Sequence, residues 1–156
     1  MKGNKKVLDV LNRLLTHEMS AADQYFIHSR MFHDWGLDAL YERMKHEQEE
    51  ELEHASRLVE RILMLEGMPD VASRAPLKIG DDVVSMLKSD LEYEIMVQGE
   101  LKSAIAICES QSDFVSRQIL LELLKDTEED HAYWLEIQLG LIEKIGLKNY
   151  TQSQAG

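Results

Sequence analysis

Both prolines of this 156-residue chain, Pro69 and Pro76, fall in a single stretch, EGMPDVASRAPLKIGDD (66–82), which also carries Gly67 and Gly80. A proline inside a helix removes a backbone donor and clashes with the preceding turn. Confining both to one segment leaves two long blocks free to run as helix. In those blocks strand signals are absent and apolar residues recur with a period near 3.6. The spacing predicts helices over 4–34, 38–65, 82–110 and 113–145, with a short fifth over 147–153. Gly36, Gly67 and Gly146 mark helix ends; Asp81 or Asp82, and Ser112 or Asp113, are suited to cap the next starts. The short turns make two antiparallel hairpins, and the link between them is long enough to cross the height of a bundle. The expectation is one all-α domain over 1–156, a four-helix bundle in which the second and third helices run parallel.

Each helix carries an apolar stripe, and a carboxylate interrupts each stripe near its middle. The first reads Leu11, Glu18, Tyr25, Phe32. The second reads Leu40, Met44, Glu47, Glu51, His54, Leu58, Ile62, Leu65, and the third Val84, Leu87, Leu91, Glu94, Gln98, Leu101, Ile105, Cys108. The fourth reads Leu121, Leu124, Glu128, His131, Leu135, Gln138, Ile142, Ile145. Steps of three and four keep these residues on one helix face. The halves also echo each other: Glu51-x-x-His54 matches Glu128-x-x-His131, with 33 residues from Glu18 to Glu51 and 34 from Glu94 to Glu128.

A buried carboxylate without a partner is costly. Four converging in one core repel, and no matching set of Lys or Arg lies on these stripes. A metal cluster resolves the conflict. Four glutamates and two histidines offer hard oxygen and imidazole ligands, suited to iron or manganese. Neutral histidines with four carboxylates balance two divalent ions. Glu-x-x-His pairs on facing helices, with a glutamate from each of the other two, describe the di-iron four-helix bundles.

Composition narrows the partners. With 29 acidic against 17 basic side chains the formal net charge is -12, which repels nucleic acid and anionic membrane surfaces and favours cations. One cysteine, Cys108, rules out an internal disulfide and fits a reducing, cytoplasmic setting. The basic N-terminus is followed by no long apolar run of the kind a signal peptide or membrane span requires.

At these residues the chain resembles the bacterioferritins. The resemblance extends through DQYFIHSRMFHDWGL (23–37), ERILMLEG (60–67), DFVSR (113–117), WLEIQLGLI (134–142) and GLKNY (146–150). It implies a ferritin-like four-helix bundle with a long crossover and a short C-terminal fifth helix. It further implies a hollow shell of 24 subunits that oxidises Fe(II) with O2 or H2O2 and stores the ferric mineral. Carried over residue by residue, Glu18 and His54 hold one iron, Glu94 and His131 the other, and Glu51 and Glu128 bridge them. Tyr25 matches a tyrosine beside the centre, and His46 and Glu50 match positions where iron binds at the inner surface. A ferredoxin is an implied reductant for iron release.

One departure concerns haem. Bacterioferritins usually ligate haem b through a methionine between the glutamate and histidine of the second helix, and here that motif reads Glu51-Leu52-Glu53-His54. Leucine has no lone pair to give iron, so a homo-oligomer of this chain is expected to hold no haem. A mixed shell with a haem-binding chain of the same family is compatible with this. The six ligands alone also suit a non-storage di-metal oxidoreductase, catalase-like or peroxidase-like.

Overall fold

The computed structural model describes all residues 1–156. Helix α1 spans Lys5–Asp34, α2 Asp38–Met64, α3 Val83–Ser110 and α4 Phe114–Asp126; a six-residue π-turn, Thr127–Ala132, joins α4 to α5, Tyr133–Ile145, and α6 spans Leu147–Gln154. The expected fourth helix is thus two α segments with a π-turn between them. Side-chain caps secure three starts: Asn4 accepts from the N–H of Lys6 and Val7, Asp82 forms a reciprocal capping box with Ser85, and Asp113 accepts from Ser116. Of the proposed end signals, Gly36 and Gly146 have positive φ. At the end of α2 the left-handed residue is Glu66 instead. Gly67 serves close packing there, since a Cβ would meet Leu8 Cδ2 at 2.6 Å.

Cross-helix bonds define the topology. Gly3 N–H donates to Leu65 O, so α1 and α2 are antiparallel. Asn4 pairs with Gln111, Arg13 with Glu100, and Tyr93 with the His17 carbonyl, so α1 and α3 are antiparallel too. It follows that α2 and α3 run parallel, as the long link requires. That link climbs beside α1: Asn12 bonds Met68 and Asp70, Ser20 bonds Ala75, Gln24 bonds Lys78, and His28 bonds Gly80. The Gly80 N–H donates to His28 Nε2, so the ring's hydrogen is on Nδ1, which donates to the buried Asp90 Oδ1 at 2.8 Å.

The core is two apolar clusters, not one. The first gathers Leu11, Leu15, Leu58, Ile62, Leu101, Cys108, Leu120 and Leu123 among others; the second gathers Tyr25, Phe32, Leu40, Met44, Met86, Leu87, Leu135 and Tyr150 among others. Between them lies a polar belt: Glu18 on α1, Glu47, Glu51 and His54 on α2, Asp90 and Glu94 on α3, and His131 in the π-turn, all buried. Cys108 is core filling, and burial pushes its thiol up to about 11. Two stripes depart in part from the expected phase: Leu87, Glu94, Leu101 and Cys108 of the third and His131, Leu135 and Gln138 of the fourth are buried as expected, while other members shift by one residue. On α3 the buried positions include Val83, Met86, Val97 and Ala104, while Val84, Leu91, Gln98 and Ile105 are only half-buried. On α4 they are Ser116, Leu120 and Leu123, followed by Thr127 in the π-turn, while Leu121 and Leu124 are half-buried.

Candidate metal centre

Two ligand groups meet in the belt. Glu18, Glu51 and His54 form one, and Glu51, Glu94 and His131 the other, each with ligand atoms within 4.8 Å of one another. Glu51 belongs to both. The two imidazoles stack with centroids 5.7 Å apart and planes 9° from parallel. Each presents Nδ1 to the shared space. His54 Nδ1 lies 3.0 Å from Glu18 and 3.8 Å from Glu51. His131 Nδ1 lies 2.9 Å from Glu51 and 3.3 Å from Glu94. All five residues are 1–2% exposed.

The electrostatics bear the mark of crowded anions. Burial, then the charges of Glu18 and Glu94, raises the Glu51 carboxyl well above its ordinary value. Burial also raises Glu94, against the charge of His131 and hydrogen bonds from His131 and Tyr25. Burial pushes Glu18 the same way, but hydrogen bonds from Glu51 and His54 outweigh it and hold Glu18 low. Burial opposes charge on His54 and His131, yet the surrounding carboxylates raise both. Protons shared among these groups offset the charge that a pair of divalent cations would offset more fully. Glu18 Oε1, fully buried, meets no hydrogen-bond donor. An orphaned carboxylate oxygen aimed into a set of oxygen and imidazole donors fits a hard or borderline cation such as ferrous iron.

Of the other sequence-predicted residues, Tyr25 reaches the centre, its hydroxyl donating to Glu94 Oε1. His46 is exposed and sits 2.8 Å from Glu50, and with Glu47 they form a third potential ligand group. Glu50 also touches His131 Nε2 at 2.6 Å, a contact that with burial's opposing pull sets its carboxyl at about 2. Leu52 faces solvent.

Glu128 is a correction. It is not brought to the centre: its side chain is 44% exposed and lies 3.8 Å from Lys102. The π-turn is the physical reason. An α-helix advances about 100° per residue, whereas a wider π-turn advances on the order of 80°. Across the three residues to His131 this moves Glu128 roughly 60° further from the histidine's direction. Thr127 takes the buried position, its hydroxyl donating to Leu123 O.

Three contacts escaped the sequence reading. Arg43, a turn before Glu47 on α2, puts a cation into the belt, with Nε 2.7 Å from Glu47 Oε1; the (i, i+4) spacing was its signal. Glu47 Oε2 lies 3.0 Å from His131 Nε2. Asp126 Oδ2 lies 3.2 Å from His54 Nε2, a contact with no signal in a helical reading.

A family model for the ferritin-like domain matches residues 8–145. A bacterial ferritin of Synechocystis sp. is 58% identical over 154 residues, covering 99% of both chains. One of Neisseria meningitidis serogroup A is 56% identical with the same coverage, and a bacterioferritin of Brucella melitensis is 41% identical over 99% of this chain and 96% of its own. The chain belongs to the ferritin family. Iron storage is the function that membership carries, and this ferritin has buried carboxylate–histidine groups that could hold metal ions. Ferritins assemble into multi-subunit iron-storage shells. Large apolar side chains left exposed on this ferritin, among them Phe26, Ile95, Phe114, Val115 and Tyr133, suit burial between subunits. No helix of this ferritin is long and apolar enough to cross a membrane.

Proposed function

We propose that this ferritin is a ferroxidase, and that the sharing of Glu51 by two ligand groups is the observation that carries the reading. Two ferrous ions bind as substrates, one held by Glu18, Glu51 and His54, the other by Glu51, Glu94 and His131. Each gives up one electron, and O2 or H2O2 takes the pair together with two protons from solvent, yielding H2O2 or two waters respectively. Binding displaces the protons that the carboxylates and imidazoles share. The fixed anionic belt then favours the more highly charged ferric product. Tyr25, bonded to Glu94, orients that ligand. His46, Glu47 and Glu50 continue the ligand path from His131 to the surface and receive iron on its way to storage. The working particle is a cytoplasmic shell of 24 subunits, homomeric or mixed with a haem-binding chain, with a ferredoxin as reductant for release.

Anaerobic titration followed by oxygen tests the reading. Uptake of about two ferrous ions per chain and their fast oxidation, followed by slower loading of many more, is the expected result. A particle that oxidises iron but loads no mineral points to a non-storage di-metal oxidoreductase instead.

Haem does not fit this chain alone. Leu52 stands solvent-exposed at the position that matters, and it offers only hydrocarbon. The exposed methionines are Met1, Met64 and Met68, at the chain start, the end of α2 and the crossover. Met44 is fully buried in the core. Haem added to the purified homo-oligomer is expected to give no Soret band of methionine-ligated type, checked by absorption spectroscopy; such a band would overturn this.

A further inference from the structure

Both stacked histidines are held at both ends. Inward, Nδ1 of each meets the shared carboxylates. Outward, Nε2 of His131 meets Glu50 at 2.6 Å and Glu47 at 3.0 Å, while Nε2 of His54 meets one group, Asp126 Oδ2, at 3.2 Å. His54 is 2% exposed and Asp126 43%, so the contact joins a buried ring to a carboxylate at the surface. Asp126 is the last residue of α4, directly before the π-turn. The turn that carries Glu128 away also decides how Asp126 faces. Asp126 and His131 are five positions apart in the chain; they lie roughly 140° apart in α geometry but only about 40° apart in π geometry. Asp126 and His131 thereby share a side of the helix, against the two stacked rings.

We propose that Asp126 is a positioning residue for His54, an inference that rests on the two-ion reading above. A carboxylate has no hydrogen to give, so it accepts one from Nε2. The hydrogen kept at Nε2 leaves Nδ1 as the nitrogen that turns to a cation beside Glu18 and Glu51. The hydrogen bond also fixes the ring plane and makes the imidazole a stronger donor to metal, as carboxylates behind ligating histidines do. Glu50, on α2, does the same for His131, so removing Asp126 acts on one metal position and spares the other.

Cobaltous ion, whose visible bands report its coordination, provides the test on the assembled protein, with Asp126→Ala, Asp126→Asn and, as a reference for loss of one position, His54→Ala. The parent protein is expected to bind two ions per chain. Asp126→Ala weakens one of the two by about 10- to 100-fold and alters its bands, with the second ion and the particle mass unchanged. Asp126→Asn, whose side-chain oxygen still accepts from Nε2, restores most of the lost affinity. Two ions bound by Asp126→Ala as tightly as by the parent, or both weakened equally, overturns the proposal while leaving the two-ion reading intact. Failure of the parent to bind two ions overturns both.

Discussion

Replacing Glu51 by glutamine is expected to slow ferrous oxidation by on the order of 100-fold. Glu51 is the one residue common to both ligand groups, so its loss removes an anionic oxygen from two positions at once. Glutamine keeps the volume and leaves no cavity, which separates a lost ligand from a lost fold. The metal-free protein is expected to respond in the opposite sense. Burial and the charges of Glu18 and Glu94 raise the Glu51 carboxyl, so between its ordinary value and the raised one the folded chain binds the extra proton. Stability from this site therefore falls as pH rises through that window and is undiminished below it. Glu51→Gln removes the penalty, so at neutral pH the metal-free variant melts no lower than the parent, and the advantage disappears near pH 4. Stopped-flow oxidation and thermal melting of the metal-free protein check the two halves. A variant that oxidises iron at the parent rate removes Glu51 from the site.

Glu47→Ala is expected to slow oxidation by about tenfold, while Glu128→Ala stays within about twofold of the parent. Glu47 is 2% exposed and lies against His131 Nε2, with Arg43 holding its other oxygen. Truncation removes the buried carboxylate that lies 3.0 Å from His131 Nε2 and leaves Arg43 facing a gap. Glu128 is 44% exposed and meets Lys102 across solvent, a contact of the kind that contributes little. The reverse ranking has a specific meaning: the π-turn would tighten to α geometry when iron binds, turning Glu128 inward. A crystal soaked in ferrous salt shows the same thing directly, with Glu128 either at the metal or at the surface.

Much of the molecule is legible in the sequence. Proline confinement to 66–82 and the 3.6-residue period determined four long helices and the crossover. The ends held because their chemistry is local: Asp82 and Asp113 cap their own first turns. Glu18, Glu51, His54, Glu94 and His131 were identified because each breaks an apolar stripe, and an unpaired buried carboxylate has few explanations. Tyr25 was singled out by the resemblance to the bacterioferritins, since its place on the first stripe alone fits a core aromatic equally well.

The error at Glu128 came from phase. Leu120, Leu121, Leu123 and Leu124 are all apolar, so two alternative stripes fit that part of the chain equally well. Running α geometry back from His131 selects Leu121, Leu124 and Glu128, whereas the buried set is Leu120, Leu123 and Thr127. The trace of the slip was present in the unequal spacings, 33 residues in the first half and 34 in the second. One surplus residue in a helix has to be absorbed, and a π-turn absorbs it.

The sequence by itself determined where carboxylates and histidines interrupt apolar stripes, because that follows from residue type and helical period alone. Only the tertiary structure decided which of them meet. Helix phase across a π-turn, the approach of Asp126 to His54 and the bond that Arg43 donates to the Asp130 carbonyl depend on how neighbouring helices pack. One residue of slip rotates a side chain by nearly a third of a turn, which is enough to exchange a ligand for a surface group.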